Sequence, residues 1–359
     1  MKNILIVDDS ALMRRVACDI IESDSRFHVE DIARNGLEAL DLLEKKSYDA
    51  IVLDVNMPRM TGLELLKEMQ NRKMHCRVMM FSTTTSEGAR ETLEALELGA
   101  LDFIQKPSGV AGGGEEEFRR RFLEILSTVS RSYLTRTTSA GTVRIGTPLR
   151  DKTSSVKPTL RTSVKVLGEK IVAIASSTGG PKALQVLIPK LPANLNAPVL
   201  LVQHMPVGFT KSLAERLDEL SPIHVKEAED GEKIVKGTVY VAQGGRHMKL
   251  FKEGASYVLR YSDEPTREGV RPCANYMYES LMNTGFAEVC CTVLTGMGAD
   301  GTAGIKNLIE KKPVHIIAQD EDSCAVYGMP KAIAMTGLVN EVLPIDGIAD
   351  AIVKEVGTL

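Results

Sequence analysis

Short apolar runs alternate with stretches of helical periodicity along most of the chain. Within residues 1–131 the runs are NILIV, DAIVL, RVMMF and DFIQ, separated by helical patterns such as GLEALDLLEKK. Residues 169–359 repeat this arrangement with KIVAIA, APVLLVQH, GTVYVA, VCCTVLTG and PVHIIAQ. Alternation of this kind is typical of parallel sheets covered by helices. The pattern therefore predicts an α/β protein with two doubly wound parallel-sheet domains.

The segment between the two patterned regions has neither a helical nor a strand period. Residues 132–168 contain 13 Ser and Thr among 37 residues, with seven basic side chains and one acidic side chain. So few apolar groups cannot offset the entropy lost on ordering the chain. We predict domains at 1–131 and 169–359 joined by a linker at 132–168. The linker is either a passive tether or a docking strip for an acidic partner or for a face of its own domains.

Charge and composition narrow the classes of function. The formal net charge of −3 is the sum of −5 in residues 1–131, +6 in residues 132–168 and −4 in residues 169–359. Because only the linker is basic and no helix-turn-helix pattern occurs, we expect no nucleic-acid partner. No apolar stretch reaches about 18 residues, and the start MKNILIVDDS is too short and too acidic for a signal peptide, so we expect a cytoplasmic protein without membrane insertion. The six cysteines form no C-x-x-C pair, which argues against a zinc site or a disulfide framework.

Polar side chains follow the predicted strands of residues 1–131. Asp8 and Asp9 follow the first strand, Asp54 follows the third, Ser82 ends the fourth and Lys106 ends the fifth. The carboxyl ends of parallel strands share one edge of a sheet, so these side chains are expected to meet there. Clustered carboxylates suit Mg²⁺, and a lysine and a hydroxyl can contact a phosphoryl group on a nucleophilic carboxylate.

This set of residues resembles that of the two-component response-regulator receiver domains. The match consists of DD at 8–9, the D-x-x-M-P-x-x-x-G motif at 54–62, Ser82, and the K-P pair at 106–107. The resemblance implies a flavodoxin-like fold, phosphorylation of Asp54 by a histidine kinase, and contacts from Ser82 and Lys106 to the phosphoryl group. It also implies a Mg²⁺ ion held by Asp8, Asp9, Asp54 and the carbonyl of Asn56.

A serine lies just past the end of the strand KIVAIA in the second domain. Ser177 is followed by Thr178, two glycines and Pro181, a sequence that permits a tight turn into a helix. A hydroxyl at this point faces the N–H groups of a helix N-terminus, where an oxyanion can be stabilised. The alternative is an anion-binding loop for a nucleotide phosphate, although neither the Walker pattern nor the full G-x-G-x-x-G pattern is present.

A nucleophilic serine needs a base and an acid from neighbouring strand ends. His204 ends APVLLVQH, the next strand in the chain, and is the preferred base, with His247 as an alternative. Asp300 lies in VLTGMGADG and is the preferred acid, with Asp230 and Asp320 as alternatives. A serine, a histidine and an aspartate from three strand ends supply the groups needed for acyl transfer. The sixth histidine of the chain, His315, lies inside an apolar strand and is predicted to be a core residue.

Residues 169–359 resemble the catalytic domain of the chemotaxis protein-glutamate methylesterases, the CheB family. The matching segments are ASSTGGP at 175–181, QHMP at 203–206, LTGMGADG at 294–301, and AQD with SCAVYGMP at 318–330. The resemblance implies that Ser177 is the nucleophile, His204 its base and Asp300 the residue that orients the base. It also implies an oxyanion hole formed by the backbone N–H groups of Thr178 and Met297.

The activity that this resemblance implies is the demethylation of glutamate γ-methyl esters, with deamidation of glutamines, on methyl-accepting chemotaxis receptors. No cofactor is expected for the esterase reaction. The receiver domain is expected to cover the carboxyl edge of the esterase sheet, where Ser177 lies, until Asp54 is phosphorylated. A phosphorylation-controlled binding module with an inactive hydrolase domain, and an esterase with a non-chemotaxis substrate, are the alternatives.

Two segments depart from the family pattern. The usual A-P-G-G-x-H-M has Gln243 in place of proline, and the usual R-P-S-V-D is here R-P-C-A-N, ending in Asn275. We expect both departures to affect substrate-side segments, and hence the range of receptors, without touching the triad.

Overall fold

The computed structural model describes residues 1–83, 85–107, 115–132, 135–138, 141–144 and 166–359. The chain forms two compact units, Met1–Lys152 and Thr153–Leu359, so that the division falls within the predicted linker. Most of that linker lies outside the described residues. The sequence also predicts a hinge into an acidic helix start at 111–117, of which residues 111–114 lie outside the described residues and 115–117 open a helix. No helix in the described ranges combines the length and the apolar character needed to cross a membrane.

The first unit is a parallel sheet of five strands with helices between successive strands. Its elements are β1 (Lys2–Val7), α1 (Ala11–Glu22), β2 (Phe27–Ala33), α2 (Gly36–Leu43), β3 (Ala50–Asp54), α3 (Gly62–Asn71), β4 (Val78–Ser82), α4 (Ser86–Glu97), β5 (Asp102–Gln105) and α5 (Glu115–Val129). The strand order is β2-β1-β3-β4-β5, and every pair is parallel. This is the order of flavodoxin-like folds, as predicted.

Polar caps start the helices of this unit close to the ends of the strands. Ser10 accepts a hydrogen bond from the N–H of Met13 at the start of α1. Thr61 and Glu64 form a reciprocal capping box at the start of α3. These local signals fix where each strand–helix connection turns, and they keep the connections at the functional edge short.

A small antiparallel ribbon lies inside the segment for which no strand was predicted. It pairs β6 (Thr135–Thr138) with β7 (Gly141–Arg144). The prediction of a linker without regular structure was wrong for these residues. Threonine and valine favour extended backbone, and this local preference is enough for a short ribbon despite the polar composition of the segment.

The second unit contains a seven-stranded parallel sheet and a separate hairpin. Its elements are β8 (Lys170–Ser176), α6 (Gly180–Leu187), a 3₁₀ turn (Ile188–Lys190), β9 (Val199–Gln203), α7 (Phe209–Leu220), β10 (His224–Glu227), β11 (Thr238–Val241), β12 (His247–Glu253), β13 (Ser256–Ser262), α8 (Ala274–Ser280), β14 (Glu288–Val293), α9 (Thr302–Ile309), β15 (Val314–Gln319), α10 (Met329–Ala334), β16 (Glu341–Leu343) and α11 (Ile345–Val356). The order is β10-β11-β9-β8-β14-β15-β16, and the hairpin pairs β12 with β13. The hairpin was not predicted, although alternating residues on both sides of Gly254 are its sequence signal.

The central strands of the second unit are buried along their whole length. Every residue of β8, β14 and β15 is buried, which explains why the sequence shows continuous apolar runs there instead of alternation. Of the polar side chains in these strands, the hydroxyl of Thr292 in β14 has no partner among the described residues, whereas His315 in β15 has two. His315 in β15 contacts Glu341 at 2.9 Å and Glu355 at 3.3 Å, so the prediction of a core histidine with partners is confirmed.

Helices α8 and α9 pack at unusually short range because a glycine lies between them. A Cβ atom on Gly304 of α9 would lie 2.7 Å from the carbonyl oxygen and 2.8 Å from the Cα of Asn275 in α8. Both neighbours are backbone atoms, which cannot move without shifting the helix. The close approach positions the loop before α9, which carries Asp300.

We expect Gly304→Ala to destabilise the second unit by about 1–3 kcal/mol, because the helices must separate to admit the methyl group. Gly347→Ala in α11 is the matched control, since a Cβ there meets nothing within 4 Å. The control should stabilise by about 0.5–1 kcal/mol through the higher helix propensity of alanine. Urea unfolding of the full chain measures both changes, and equal shifts in the two variants would contradict this packing argument.

Candidate active site

The three residues predicted to perform acyl transfer follow three adjacent strands. Ser177 follows β8, His204 follows β9, and Asp300 lies in the loop between β14 and α9. Strand β8 lies between β9 and β14 in the sheet, so the serine is flanked by the other two residues at the carboxyl edge. The chain also reverses its direction of strand addition at β8, and ligands of open α/β sheets bind at such a switch point.

Two backbone hydrogen bonds fix the turn at Ser177, one to the segment that follows β14 and one within the turn itself. The N–H of Ser177 donates to the carbonyl of Thr295 at 3.0 Å, and its carbonyl accepts from the N–H of Gly180 at 2.7 Å. Gly179 has a φ of 75°, a left-handed conformation that favours glycine. The turn therefore ends β8 abruptly and leaves the half-buried serine at the start of α6.

Gln203, which was not predicted as a site residue, also holds this turn. Its Oε1 accepts from the Ser176 hydroxyl at 2.7 Å, and its Nε2 donates to the carbonyl of Ser177 at 3.0 Å. A Cβ on Gly180 would lie 2.0 Å from that Oε1, which accounts for the second glycine of the turn. The signal was available, because Gln203 directly precedes His204 at the end of a fully buried strand.

His204 and Asp300 form a buried hydrogen-bonded pair. Nε2 of His204 lies 2.7 Å from Oδ2 of Asp300, and the two side chains are only 4% and 3% exposed. Burial by itself would raise the pKa of Asp300, but hydrogen bonds and the charge of His204 outweigh it and lower that pKa to about 2. Asp300 is therefore ionised throughout the physiological pH range and can stabilise a positive charge on the ring.

The remaining lone pairs of Asp300 are filled by the segment that departs from the family pattern. Oδ1 accepts from the thiol of Cys273 and from the N–H of Asn275, both at 3.0 Å, and from the N–H of Gly301 at 2.8 Å. Oδ2 also accepts from the N–H of Ala274 at 2.6 Å. The expectation that this departure leaves the triad untouched was wrong, because helix α8 starts directly against the carboxylate.

The Asn275 side chain connects the same segment to helix α9. Its Oδ1 accepts from the N–H of Gly301 at 3.1 Å and from the N–H of Gly304 at 2.6 Å. Asp300 thus caps the start of α8, and Asn275 caps the start of α9. This exchange of caps across two helices could not be foreseen, since neither residue stands directly before the helix it caps.

The alternative base and acids lie elsewhere. His247 is completely buried, and its ring packs 4.6 Å from that of Tyr276; burial, followed by the charge of Arg271, lowers its pKa. Asp230 accepts from the N–H of Tyr261. Asp320 accepts from the N–H and hydroxyl of Ser323. None of the three contacts the His204–Asp300 pair.

The segments predicted to supply an oxyanion hole lie beside the serine. A Cβ on Gly296 would be 2.7 Å from the Cβ of Ser177, so the backbone that leads into Met297 passes directly against the nucleophile. The hydroxyl of Thr295 donates to the carbonyl of Thr178 at 3.0 Å, which ties the two segments together. The roles of Thr178 and Met297 stay predictions.

An acidic cluster occupies the carboxyl edge of the first sheet. Carboxylate oxygens of Asp8, Asp9 and Asp54 lie within 4.8 Å of one another. Nζ of Lys106 lies 2.8 Å from Asp8 and 2.7 Å from Asp54. Burial raises the pKa of Asp54 to about 6 although Lys106 acts in the opposite direction, and Asp8 raises it further. The oxygen-only donor set is the one that Mg²⁺ prefers.

Two other predicted residues of this cluster are engaged with helix α4. The hydroxyl of Ser82 lies 2.6 Å from that of Thr92 and 3.3 Å from the carbonyl of Gly88. The amide of Asn56 donates to Glu91 at 2.7 Å. The contact from Ser82 to a phosphoryl group on Asp54 stays a prediction.

Comparison with known proteins finds a family match for each of the two units. The sequence model of the CheB methylesterase family matches residues 172–352, and that of the response regulator receiver domain matches residues 4–111. A protein-glutamate methylesterase/protein-glutamine glutaminase of Bacillus subtilis is 42% identical over 98% of each chain. A protein of that name from Pyrococcus abyssi is 41% identical over 98% of this chain and 93% of its own.

A solved structure shares the second unit. The crystal structure of the Thermotoga maritima CheB methylesterase catalytic domain is 40% identical, with a TM-score of 0.51, and covers 52% of this chain and 99% of that one. It corresponds to the unit that carries Ser177, His204 and Asp300. Full-length similarity, two family matches and the arrangement of strands agree: the chain belongs to the CheB family of methylesterases that carry a response regulator receiver domain.

Proposed function

We propose that the protein is a serine hydrolase that demethylates glutamate γ-methyl esters and deamidates glutamines on methyl-accepting chemotaxis receptors. The observation that carries the proposal is the buried His204–Asp300 pair, which lies at the strand ends on either side of Ser177. The names of the full-length relatives supply the substrate class and both activities.

In the first half of the reaction the Ser177 hydroxyl attacks the ester carbonyl. Asp300 occupies Nε2 of His204, so Nδ1 is the ring nitrogen left to take the hydroxyl proton. That proton then passes to the departing methoxide, which leaves as methanol, and Ser177 retains the acyl group. Backbone N–H groups of Thr178 and Met297 stabilise the oxyanion.

In the second half water attacks the acyl-enzyme. His204 takes a proton from the water and returns it to Ser177, which releases the receptor glutamate as its carboxylate. A glutamine follows the same course with ammonia as the leaving group. Among the residues that the structure describes, the Ser177 hydroxyl makes no hydrogen bond, and such bonds often tighten only when substrate is present.

The receiver unit would control this reaction through Asp54, which accepts a phosphoryl group from a chemotaxis histidine kinase. Lys106, already within 2.8 Å of both Asp8 and Asp54, is placed to neutralise charge on the phosphoryl oxygens. Asp8, Asp9, Asp54 and the carbonyl of Asn56 would hold Mg²⁺, which screens the charge brought together at the aspartate. The kinase, the receptor segment and the enzyme would then all meet in the cytoplasm.

Replacing Ser177 by alanine should lower methanol release from methylated receptor membranes by about 10³-fold or more, because the nucleophile is lost. Ser221→Ala is the matched control, since that buried hydroxyl has no partner among the described residues and lies at the far end of α7. A Ser177→Ala enzyme that keeps its rate would contradict the triad. Failure of a fluorophosphonate to label Ser177 would favour the inactive binding module.

A small acyl phosphate should increase methanol release by the wild-type chain and leave Asp54→Asn at its basal rate, because the amide cannot accept the phosphoryl group. Asp41→Asn removes an exposed aspartate of α2 and should respond like the wild type. Equal stimulation of the Asp54 variant would contradict regulation through the receiver domain, and it would leave the proposed esterase activity standing.

The affinity for Mg²⁺ should fall with acidity. Because the folded-state pKa of Asp54 is raised to about 6, the carboxyl is protonated below that pH and must lose its proton to bind the ion. Calorimetric titration should show binding about tenfold weaker at pH 5 than at pH 8. Asp54→Asn should lose this difference. Equal wild-type affinities at the two pH values would contradict a titrating Asp54 in the metal site.

A further inference from the structure

The carboxylate of Asp300 accepts more hydrogen bonds than orientation of a histidine requires. Three donors reach Oδ1, namely the Cys273 thiol and the N–H groups of Asn275 and Gly301. Two reach Oδ2, the N–H of Ala274 and the ring of His204. An ionised carboxylate offers about four lone-pair sites, so this one is saturated. The division of the donors between the two oxygens determines how strong an acceptor Oδ2 is for the ring of His204.

Cys273 differs from the other donors on Oδ1. It is the residue before α8, is completely buried, and provides a side chain where the others provide backbone. Burial, followed by the adjacent charge of Asp300, raises the pKa of its thiol, so the proton stays on sulfur and can be donated. A residue at this position can thus change the acceptor strength of Asp300 without altering the backbone.

We propose that Cys273 is a positioning residue, whose thiol fixes the rotation of the Asp300 carboxylate and limits how strongly that carboxylate attracts the proton of His204. The inference rests on the proposed role of the His204–Asp300 pair. A donor on Oδ1 draws negative charge away from Oδ2, because hydrogen bonds on one group polarise each other. Without it, Oδ2 is a stronger acceptor and the carboxylate has one restraint fewer.

Two further titratable side chains, those of Tyr278 and Glu268, lie on the segments around Asp300. Tyr278 of α8 is completely buried, which raises its pKa well above the usual value. The carboxylate of Glu268 accepts a hydrogen bond from the amide of Asn275 at 3.1 Å. The ring of His204 is hydrogen-bonded to Oδ2 itself, so a signal from that ring reports on the acceptor strength of the carboxylate.

The experiment uses the full-length chain with ¹³C-labelled histidine, in which the signal of His204 is identified by its absence from a His204→Gln variant. In Cys273→Ala we expect the pKa of His204 to rise by about half a unit. We expect kcat for methanol release to fall about tenfold, with the acidic limb of its pH profile displaced upward in parallel. Cys273→Ser should restore both, because a hydroxyl donates to the same oxygen.

Cys290→Ala is the matched control, since it removes another completely buried thiol, in β14. It should leave the pKa of His204 unchanged. If Cys273→Ala does not fold, Cys273→Val fills the same space without a donor and should show the same rise. An unchanged pKa of His204 in the alanine or valine variant, or a serine variant that behaves like alanine, would overturn the proposal.

The histidine titration does not depend on turnover, so the two proposals can fail separately. Full activity of Ser177→Ala together with a shifted pKa of His204 in Cys273→Ala would refute the triad and leave the role of Cys273 intact. Loss of activity in Ser177→Ala with no shift of the His204 pKa in the Cys273 variants would support the triad and refute the role of Cys273.

Discussion

The hydrogen bond between His204 and Asp300 is the interaction on which the second unit depends most. A buried carboxylate is costly unless its lone pairs are filled, and here five donors fill them. Two of these are the first N–H groups of helix α8, which have no partner within their own helix. The site and the fold therefore satisfy each other's polar groups, and the same contacts that stabilise the helix start also keep Asp300 ionised.

The first unit also buries carboxylates, and there a lysine stabilises their charge. Asp8 and Asp54 are buried side by side, and Lys106 contacts both. Burial of Asp54 still dominates, because its pKa is raised to about 6, whereas that of Asp300 is lowered to about 2. The contrast fits the roles proposed for the two residues, a phosphoryl acceptor for Asp54 and a residue that orients His204 for Asp300.

Much of both sites could be predicted because parallel sheets bring their carboxyl ends together. Once the apolar runs identified the strands, the residues after them had to meet at one edge, and Ser177, His204 and Asp300 do follow adjacent strands. The choice of His204 over His247 rested on strand adjacency, which the sheet order bears out. The hairpin of β12 and β13 was not predicted, because its strands are only partly buried and alternate apolar with polar residues, unlike the continuous apolar runs of the parallel sheet.

The sequence by itself determined the two α/β units, their strands, and the short set of side chains that could carry chemistry. These follow from local periodicity and from the type of residue at each strand end. Only the tertiary structure decided which atoms share a hydrogen bond. Cys273 and Asn275 lie more than twenty residues from Asp300 along the chain, yet they fill its lone pairs and cap the neighbouring helix. These hydrogen bonds depend on how α8 and α9 pack against each other at Gly304. The periodicity of the sequence carries no information about that packing.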